Sequence, residues 1–229
     1  MVVGEAKRRE FALGEEGNLE MVDKFCYLGD MIENCGGASA AVTVRVRCAW
    51  AKFRELMQVL TCRGASLRLK GKIYRACVQS VMVYGSETWP IRVEDVALLV
   101  RTERMMVRWM CGVSLKDRVP SVELLERLHI VDVAEVVRRG RLRWFGHVER
   151  KGVEDWVSAC RDLSVVGLSG RDLSKGRGWK TWRECVNDDM KKLNLVKADA
   201  QDRTLWRAAI MGNRLTRAST DKNQNRRKT

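Results

Sequence analysis

Apolar residues recur every three or four positions along most of the chain, which is the spacing of one face of an α-helix. The first such stretch follows Gly36 and Gly37, and its apolar positions are Val42, Val46, Ala49, Phe53, Leu56 and Leu60. A second helix is predicted after an N-cap at Ser66, with an inward face formed by Leu69, Ile73, Ala76, Cys77, Ser80 and Tyr84. A third is predicted from about Val93 to Cys111, with Gly112 as the left-handed residue that ends it.

The same spacing continues in the second half of the chain. Pro120 and Ser121 start a short helix, and residues 132–149 form a longer one. The predicted inward face of the longer helix is Val133, Val136, Val137, Trp144 and Val148, with Gly140 on the same side. Thr181 and Glu184 have the spacing of a capping box, and a last helix includes Trp206.

The first 37 residues have a different pattern. Short apolar runs at residues 11–13, 19–22 and 25–28 are separated by glycines, which favours strands and turns. A hairpin or meander of this size is not stable alone. It must pack on the helices that follow or on a part that this chain lacks.

These patterns predict a mainly α protein, with a short N-terminal β-hairpin or meander before a helical bundle and a basic helical C-terminal segment. The predicted divisions are β-structure at 1–37, a helical bundle at 38–112, a helical segment with an Arg-rich helix at 113–160, a Gly/Arg linker at 161–180, C-terminal helices at 181–212 and a disordered basic tail at 213–229.

Charge divides the chain unevenly. The 43 Lys and Arg residues exceed the 29 Asp and Glu residues by 14. Residues 1–137 have 20 basic and 18 acidic side chains, whereas residues 138–229 have 23 and 11, so the second part has a net charge of +12. A solvated surface would explain some of this excess, but its concentration in one part favours a polyanionic partner such as RNA or DNA.

Two groups of residues are the candidates for that contact. The first is the set of arginines on the longer helix: Arg138, Arg139, Arg141 and Arg143. No acidic residue occurs from 136 to 148, although these arginines could instead cap helix carbonyls or pair with Glu135, Glu149 or Glu154. The second group lies in and beside the linker and comprises Lys175, Arg177, Trp179 and Lys180. Trp179 is the candidate for stacking on a base, whereas Trp144, Trp182 and Trp206 are predicted to be core residues.

The sequence contains no recognisable catalytic motif. It has no phosphate-binding GK[ST] loop, no GxSxG and no HExxH. No two of the 8 cysteines are closer than nine residues, and there are only 2 histidines, so we expect no metal site and no cofactor. The pair Asp188 and Asp189 lies in a predicted helix, where consecutive side chains diverge, and is interpreted as a solvated face. The cysteines are interpreted as reduced, mostly as small buried side chains.

The expected location is intracellular, in the nucleus and/or the cytoplasm. The longest apolar runs, such as residues 96–100, are too short to cross a bilayer, so no membrane partner is expected. Charged residues at 5–10 do not resemble the start of a signal peptide.

Six short strings occur in a characteristic order. They are FCYLG at 25–29, KIY at 72–74, YGSETW at 84–89, RLRWFGHVER at 141–150, KTW at 180–182 and DRxxWR at 202–207. In this order and spacing they resemble the C-terminal part of the endonuclease/reverse transcriptase polyprotein of non-LTR retrotransposons. The resemblance spans about residues 19–212.

The resemblance implies specific roles. In that family a strand and turn ending in F-x-Y-L-G closes the polymerase palm and helps to hold the primer end, which would make Phe25, Tyr27, Leu28 and Gly29 primer-grip-like. The helices that follow form the thumb, so residues 38–112 would be thumb-like and grip a template–primer. The later strings belong to the post-polymerase segment, which is expected to bind element RNA or target DNA.

The chain also departs from the family pattern. The palm carboxylates and the tyrosine–aspartate–aspartate turn precede F-x-Y-L-G in the family, but only 24 residues precede Phe25 here. The endonuclease and the Cys/His zinc knuckle are missing as well. The resemblance therefore implies a truncated reverse-transcriptase-like fragment that is not an enzyme, binds RNA or DNA, and could have the missing palm and fingers as a partner. The alternative is a helical scaffold or protein-interaction module with no nucleic-acid role.

Overall fold

The computed structural model describes residues 10–12, 18–20, 22–34, 37–152, 154–158 and 180–212. The chain divides into two compact units, residues 1–137 (unit 1) and 138–229 (unit 2). The boundary coincides with the step in charge and falls inside the predicted segment 113–160. The predicted linker up to residue 179 and the predicted basic tail lie outside the described residues.

Two antiparallel strand pairs precede the helices in the described part of unit 1. Strand β1 (Glu10–Ala12) pairs with β2 (Asn18–Glu20), and β3 (Lys24–Tyr27) pairs with β4 (Asp30–Glu33). The predicted β-structure is thus confirmed, although β4 lies beyond the apolar runs that suggested it. Leu28 and Gly29 join β3 to β4 with φ angles of 48° and 82°. Positive φ at both central residues is typical of a two-residue hairpin turn, and Gly29 accepts it without steric cost.

The rest of the described part of unit 1 is mainly helical. Its helices are α1 (Ser39–Glu55), α2 (Met57–Leu60), α3 (Leu67–Ile73), a π-helical turn (Tyr74–Gln79), α4 (Ser80–Met82), α5 (Val93–Cys111) and α6 (Ser121–Leu128). The side chain of Ser66 accepts a hydrogen bond from the backbone of Leu69, which confirms the predicted N-cap. Gly112 ends α5 with φ 65°, also as predicted. The mainly helical fold predicted from the sequence is therefore confirmed.

The core of unit 1 lies between α1, α5 and α6. Phe53 and Leu99 are fully buried, as the apolar spacing of α1 and α5 predicts. Helices α3 and α6 meet at Gly71, where an added Cβ would collide with the carbonyl oxygen of Leu128. Any side chain larger than hydrogen at residue 71 would force these two helices apart.

The predicted inward face of the second helical stretch is wrong. Leu69 and Tyr84 are about half exposed, whereas Tyr74, Gln79 and Met82 are buried. One of these three buried side chains, Gln79, is polar, so hydropathy alone assigns it to the surface. The π-helical turn further shifts the register along this stretch, because it spaces side chains differently from an α-helix.

A buried carboxylate explains why polar residues face inward here. Glu103 of α5 is 1% exposed. It accepts hydrogen bonds from Tyr74 Oη (3.3 Å), Gln79 Nε2 (2.9 Å) and the backbone nitrogen of Val133 (2.7 Å). Burial raises the pKa of Glu103 to about 7. The carboxyl group therefore joins three segments of unit 1 that are distant in sequence.

The described residues of unit 2 include three main helices. Helix α7 (Val133–Glu149) spans the boundary between the units, and α8 (Trp182–Leu193) and α9 (Arg203–Ile210) follow, with a 3-10 turn (Lys197–Gln201) between them. Thr181 and Glu184 form the predicted capping box. The apolar core of this unit consists of Leu142, Phe145, Val186, Met190, Ala200, Trp206 and Ile210.

The predicted inward face of α7 is partly wrong. Val133, Val137 and Val148 are buried as predicted, but Trp144 is 40% exposed. Leu142 and Phe145 take the inward positions instead. Helix α7 continues through Gly140, and a close approach occurs at Gly146, where an added Cβ would collide with Trp206 Nε1.

Two further sequence expectations can be compared with the described residues. No helix in the described ranges combines the length and the apolar character needed to cross a membrane. Cys185 is buried, but Cys26, Cys48 and Cys62 are exposed, so the interpretation of most cysteines as buried is wrong for these three.

Candidate nucleic-acid interface

Arg141, one of the predicted contact residues, lies inside unit 2. Its Nε donates to Asp189 Oδ2 at 2.9 Å, and the two side chains are only 5% and 9% exposed. Burial raises the pKa of Asp189, and the charge of Arg141 opposes that rise. Arg141 cannot reach a phosphate without breaking this ion pair, and the interpretation of Asp189 as a solvated residue is wrong.

The inward side of α7 is fixed by aromatic packing and one buried hydrogen bond. Trp206 Nε1 donates to the backbone oxygen of Leu142 at 2.9 Å. The ring of Phe145 lies 5.9 Å from that of Trp206 and 6.4 Å from that of Trp182, measured between centroids. Because these contacts fix the rotation of the helix, they also decide which α7 residues face outward.

The outward side of α7 combines basic and aromatic side chains. Arg143, Trp144 and His147 are exposed, and Arg139 is partly exposed. The rings of Trp144 and His147 stack with centroids 5.5 Å apart and an angle of 29° between their planes. Arg139 and Arg143 are separated by one helical turn, as are Arg143 and His147. We call Arg139, Arg143, Trp144 and His147 the α7 strip.

The predicted arginines thus occupy different environments. Arg143 is exposed, Arg138 and Arg139 are partly buried, and Arg141 is buried. Trp144 and His147 were not among the predicted contact residues. The spacing of three residues between them is a signal that would have placed both on one helical face.

Of the second predicted group of contact residues, Lys180 lies in the described residues. Lys180 Nζ lies 2.6 Å from Asp188 Oδ2 at the start of α8, and its side chain is 39% exposed. The hydrogen bond to Asp188 raises the pKa of Lys180, and the same bond lowers the pKa of Asp188. Lys175, Arg177 and Trp179 lie outside the described residues.

The primer-grip-like turn in unit 1 is attached to the helices that follow it. Tyr84 Oη donates to the backbone oxygen of Leu28 at 3.1 Å, and Trp89 Nε1 donates to Asp30 Oδ2 at 2.9 Å. Arg45 donates to the backbone oxygen of Gly29, and its guanidinium lies 4.3 Å from the centroid of the Tyr84 ring. The strings at 25–29 and 84–89, distant in sequence, therefore form one contact.

The same hairpin also has exposed apolar side chains. Phe25 and Ile32, which are partners across β3 and β4, are 37% and 41% exposed. Tyr27 and Leu28 are 56% and 76% exposed. The residues that resemble a primer grip are thus accessible in unit 1, while Gly29 is held by Arg45.

No metal-binding arrangement is found in the described ranges: no three His, Cys, Asp or Glu side chains lie close enough together to hold an ion. The expectation that the protein needs no metal or cofactor stays a prediction.

Comparison with known proteins shows a distant similarity. The chain is similar to a protein of Caenorhabditis elegans that is named as transposon-derived, with 24% identity over 144 residues. The similar region covers 61% of this chain and 51% of the relative, so the chain matches about half the length of that protein. No family model matches the chain, and no solved structure matches it.

Proposed function

We propose that this chain is a reverse-transcriptase-like fragment of a non-LTR retrotransposon that binds RNA or DNA through the α7 strip and has no polymerase activity of its own. The six ordered strings and the similarity to a transposon-derived protein support the origin. The tyrosine–aspartate–aspartate string of the family does not occur in this sequence.

The observation that carries nucleic-acid binding is the composition of the α7 strip. Arg143 is exposed beside the stacked pair of Trp144 and His147, and no acidic residue occurs from 136 to 148. Arginine binds phosphate in a bidentate manner, and aromatic rings stack on unpaired bases. The net charge of +12 on residues 138–229 adds an attraction that does not depend on nucleotide sequence.

The salt dependence of binding tests this proposal. We compare the native chain with Arg139→Gln/Arg143→Gln, using RNA and DNA oligonucleotides over a range of salt concentrations. Loss of two phosphate contacts should flatten the log–log salt slope by about 1.4 to 1.8 units and weaken binding to all sequences.

A matched control removes the same charge elsewhere in unit 2. Arg203 and Arg207 are exposed on α9, so Arg203→Gln/Arg207→Gln should change the slope clearly less than the strip variant. Equal effects of the two double variants, or no binding by the native chain, would show that the α7 strip is not the contact.

The variant Trp144→Ala distinguishes binding of single strands from binding of duplexes. Stacking on an unpaired base contributes about 1–3 kcal/mol, so affinity for an unstructured strand should fall while duplex binding changes little. A matched control is Trp156→Ala, because Trp156 is 75% exposed in the same unit but lies outside the strip. If both tryptophan variants bind single strands as the native chain does, stacking at Trp144 is excluded.

The thumb-like role of unit 1 follows from the same resemblance. Residues 38–112 would approach a template–primer, and the exposed side chains of Phe25, Tyr27 and Leu28 would be covered by the palm and fingers of a reverse transcriptase. The purified chain alone should incorporate no nucleotides on a primed template with Mg²⁺ or Mn²⁺. Template-dependent extension that co-purifies with the chain through successive columns would contradict the proposal.

A further inference from the structure

Unit 1 has an open groove along the outer side of α5. The groove has a volume of about 1000 Å³, and its lining includes Val100, Met105, Trp109 and Leu115. Met105, Trp109 and Leu115 are 47%, 49% and 78% exposed, and they line the same groove, so they form an exposed apolar patch rather than isolated exposed residues. A second groove of about 440 Å³ shares Met105 and Trp109 and extends toward Trp50 of α1. Together they form a continuous apolar surface, which we call the α5 groove.

The apolar floor of the groove is held in place by packing beneath it. The Trp109 ring makes an edge contact with Trp50, with centroids 5.8 Å apart, and lies 6.1 Å from the ring of buried Phe53. Arg108 donates to the backbone oxygens of Ser114 (3.2 Å) and Val119 (2.9 Å), which fixes the loop at one end. A preformed apolar site requires little ordering when it binds a partner.

The rim of the groove is positively charged. Arg101 and Arg104 of α5 line the larger part, Arg54 of α1 lines the smaller part, and all three are exposed. No Asp or Glu is among the described residues that line either part. The contact surface therefore pairs an apolar floor with a cationic edge.

From this combination we propose that the α5 groove binds an amphipathic helix of a partner protein, with its apolar side on Met105, Trp109 and Leu115 and carboxylates facing Arg54, Arg101 and Arg104. The lining along α5 and the glycine that ends it extends from Ala97 to Gly112, which at about 1.5 Å per residue corresponds to about 22 Å, so a helix of about 15 residues fits. Helix-in-groove recognition reads apolar anchors at i, i+3 or i+4 and i+7 of the bound helix.

A protein helix fits this surface better than a nucleic acid does. Nucleic-acid sites present cations along the track of the phosphates, as on the α7 strip, whereas the floor here is a continuous row of aliphatic, thioether and indole groups. Burying such a floor is favourable only against a similarly apolar surface. The inference concerns unit 1 and is independent of whether the α7 strip binds RNA or DNA.

The test uses the full chain and three sequence-unrelated helical peptides of about 15 residues, each with leucines at the anchor spacing and glutamates on both flanks. Binding is measured by fluorescence anisotropy of the labelled peptides. Two matched sets have lysine in place of glutamate, or the same residues in a scrambled order. We expect saturable binding of the glutamate set and weak or no binding of the two others.

Charge reversal locates the contact. Arg101→Glu/Arg104→Glu should weaken binding of the glutamate peptides by about tenfold and strengthen binding of the lysine peptides, because rim charges set partner choice. The matched control is Arg68→Glu/Arg75→Glu, which reverses two exposed arginines outside the groove. Leu115→Ser tests the apolar floor at its most exposed position and is expected to weaken all peptide binding.

Several outcomes would overturn the proposal. They are absence of saturable binding by all three glutamate peptides, equal effects of the two charge reversals, and unchanged binding after Leu115→Ser. Displacement of a bound peptide by a single-stranded RNA, with the displacement abolished by Arg101→Glu/Arg104→Glu, would identify the groove as a nucleic-acid site instead. The α7 strip is tested separately, because the variants that test it change residues of unit 2 only.

Discussion

Unit 1 and unit 2 each bury a carboxylate, but they satisfy it with different partners. Glu103 in unit 1 receives hydrogen bonds from Tyr74, Gln79 and the backbone of Val133, none of which has a positive charge. Asp189 in unit 2 forms an ion pair with Arg141 at 2.9 Å. Burial raises the pKa of both carboxyls, and only at Asp189 does a cation in direct contact oppose that rise.

The difference between the partners of these two carboxyl groups follows the distribution of charge along the chain. Residues 1–137 are nearly neutral, with 20 basic and 18 acidic side chains, whereas residues 138–229 have 23 and 11. In unit 2, Arg141 of the basic helix α7 is buried in an ion pair, whereas Arg143 of the same helix is exposed. The stability of unit 1 should therefore depend on pH through Glu103. The stability of unit 2 should depend mainly on the ion pair between Arg141 and Asp189.

Loss of the Asp189 charge should give the largest effect. Asp189→Asn removes the carboxylate that pairs with the buried guanidinium of Arg141, which should destabilise unit 2 by about 3–5 kcal/mol. Amide hydrogen exchange of α8 during denaturation measures this loss. As the matched control, Asp188→Asn removes a partly exposed pair with Lys180 and should cost at most about 1 kcal/mol. Similar losses in the two variants would refute the structural role of Arg141.

The pH response of unit 1 should be nearly as large. The pKa of Glu103 rises from 4.5 to about 7 on folding, so the native state holds a proton that the unfolded chain has released. Stability from this group is therefore complete below pH 4.5 and falls as the pH rises to about 7, by about 3 kcal/mol in total. The free energy of unfolding of the native chain and of Glu103→Gln is measured across this pH range. Parallel curves would show that Glu103 is not the titrating group.

A glycine at the core of unit 2 should give an intermediate effect. In Gly146→Ala the new methyl group would collide with Trp206 Nε1, which donates to Leu142, and relief of that collision should cost about 1–3 kcal/mol. Thermal unfolding followed by tryptophan fluorescence measures the change. Gly152 has no atom near its position for an added Cβ, so Gly152→Ala serves as the control and should be nearly neutral. Stabilisation by Gly146→Ala would mean that α7 and α9 are not in close contact.

The local signals in the sequence predict where the helices begin and end. Ser66, Gly112 and Thr181 act through hydrogen bonds or φ angles within a few residues, so their effects can be inferred without the tertiary structure. The side of a helix that faces inward is harder to predict when large amphipathic residues occur on both sides. Trp144 and Tyr84 were assigned to the core on hydropathy, but each has a polar edge and lies at the surface.

For the candidate interface, too, the sequence predicts the helix but not which of its side chains face inward. Four closely spaced arginines indicate a basic helix, and Arg143 is indeed exposed. Arg141 differs only because Asp189, 48 residues later, lies opposite it in the folded chain. No spacing rule reveals that pair, because the positions are brought together by the packing of α7 on α8.

The smallest predicted effect concerns the hairpin of β3 and β4 in unit 1. This hairpin has little buried surface, so an exposed hydrogen bond should contribute to its local stability. Tyr84→Phe removes the hydrogen bond to the backbone oxygen of Leu28 but keeps the ring beneath Arg45, so it should cost about 0.5–1.5 kcal/mol locally. Because all four residues of β3 are exposed, its amides should already exchange faster than those around Phe53 in α1. The variant should accelerate exchange in β3 and β4 and leave α1 unchanged, which hydrogen-exchange mass spectrometry can resolve.

Thr88→Val, which removes a nearby exposed hydrogen bond within the 86–88 turn, is the control and should leave the hairpin unaffected. Exchange in β3 as slow as that around Phe53 would instead show that the hairpin is an integral part of a closed unit 1.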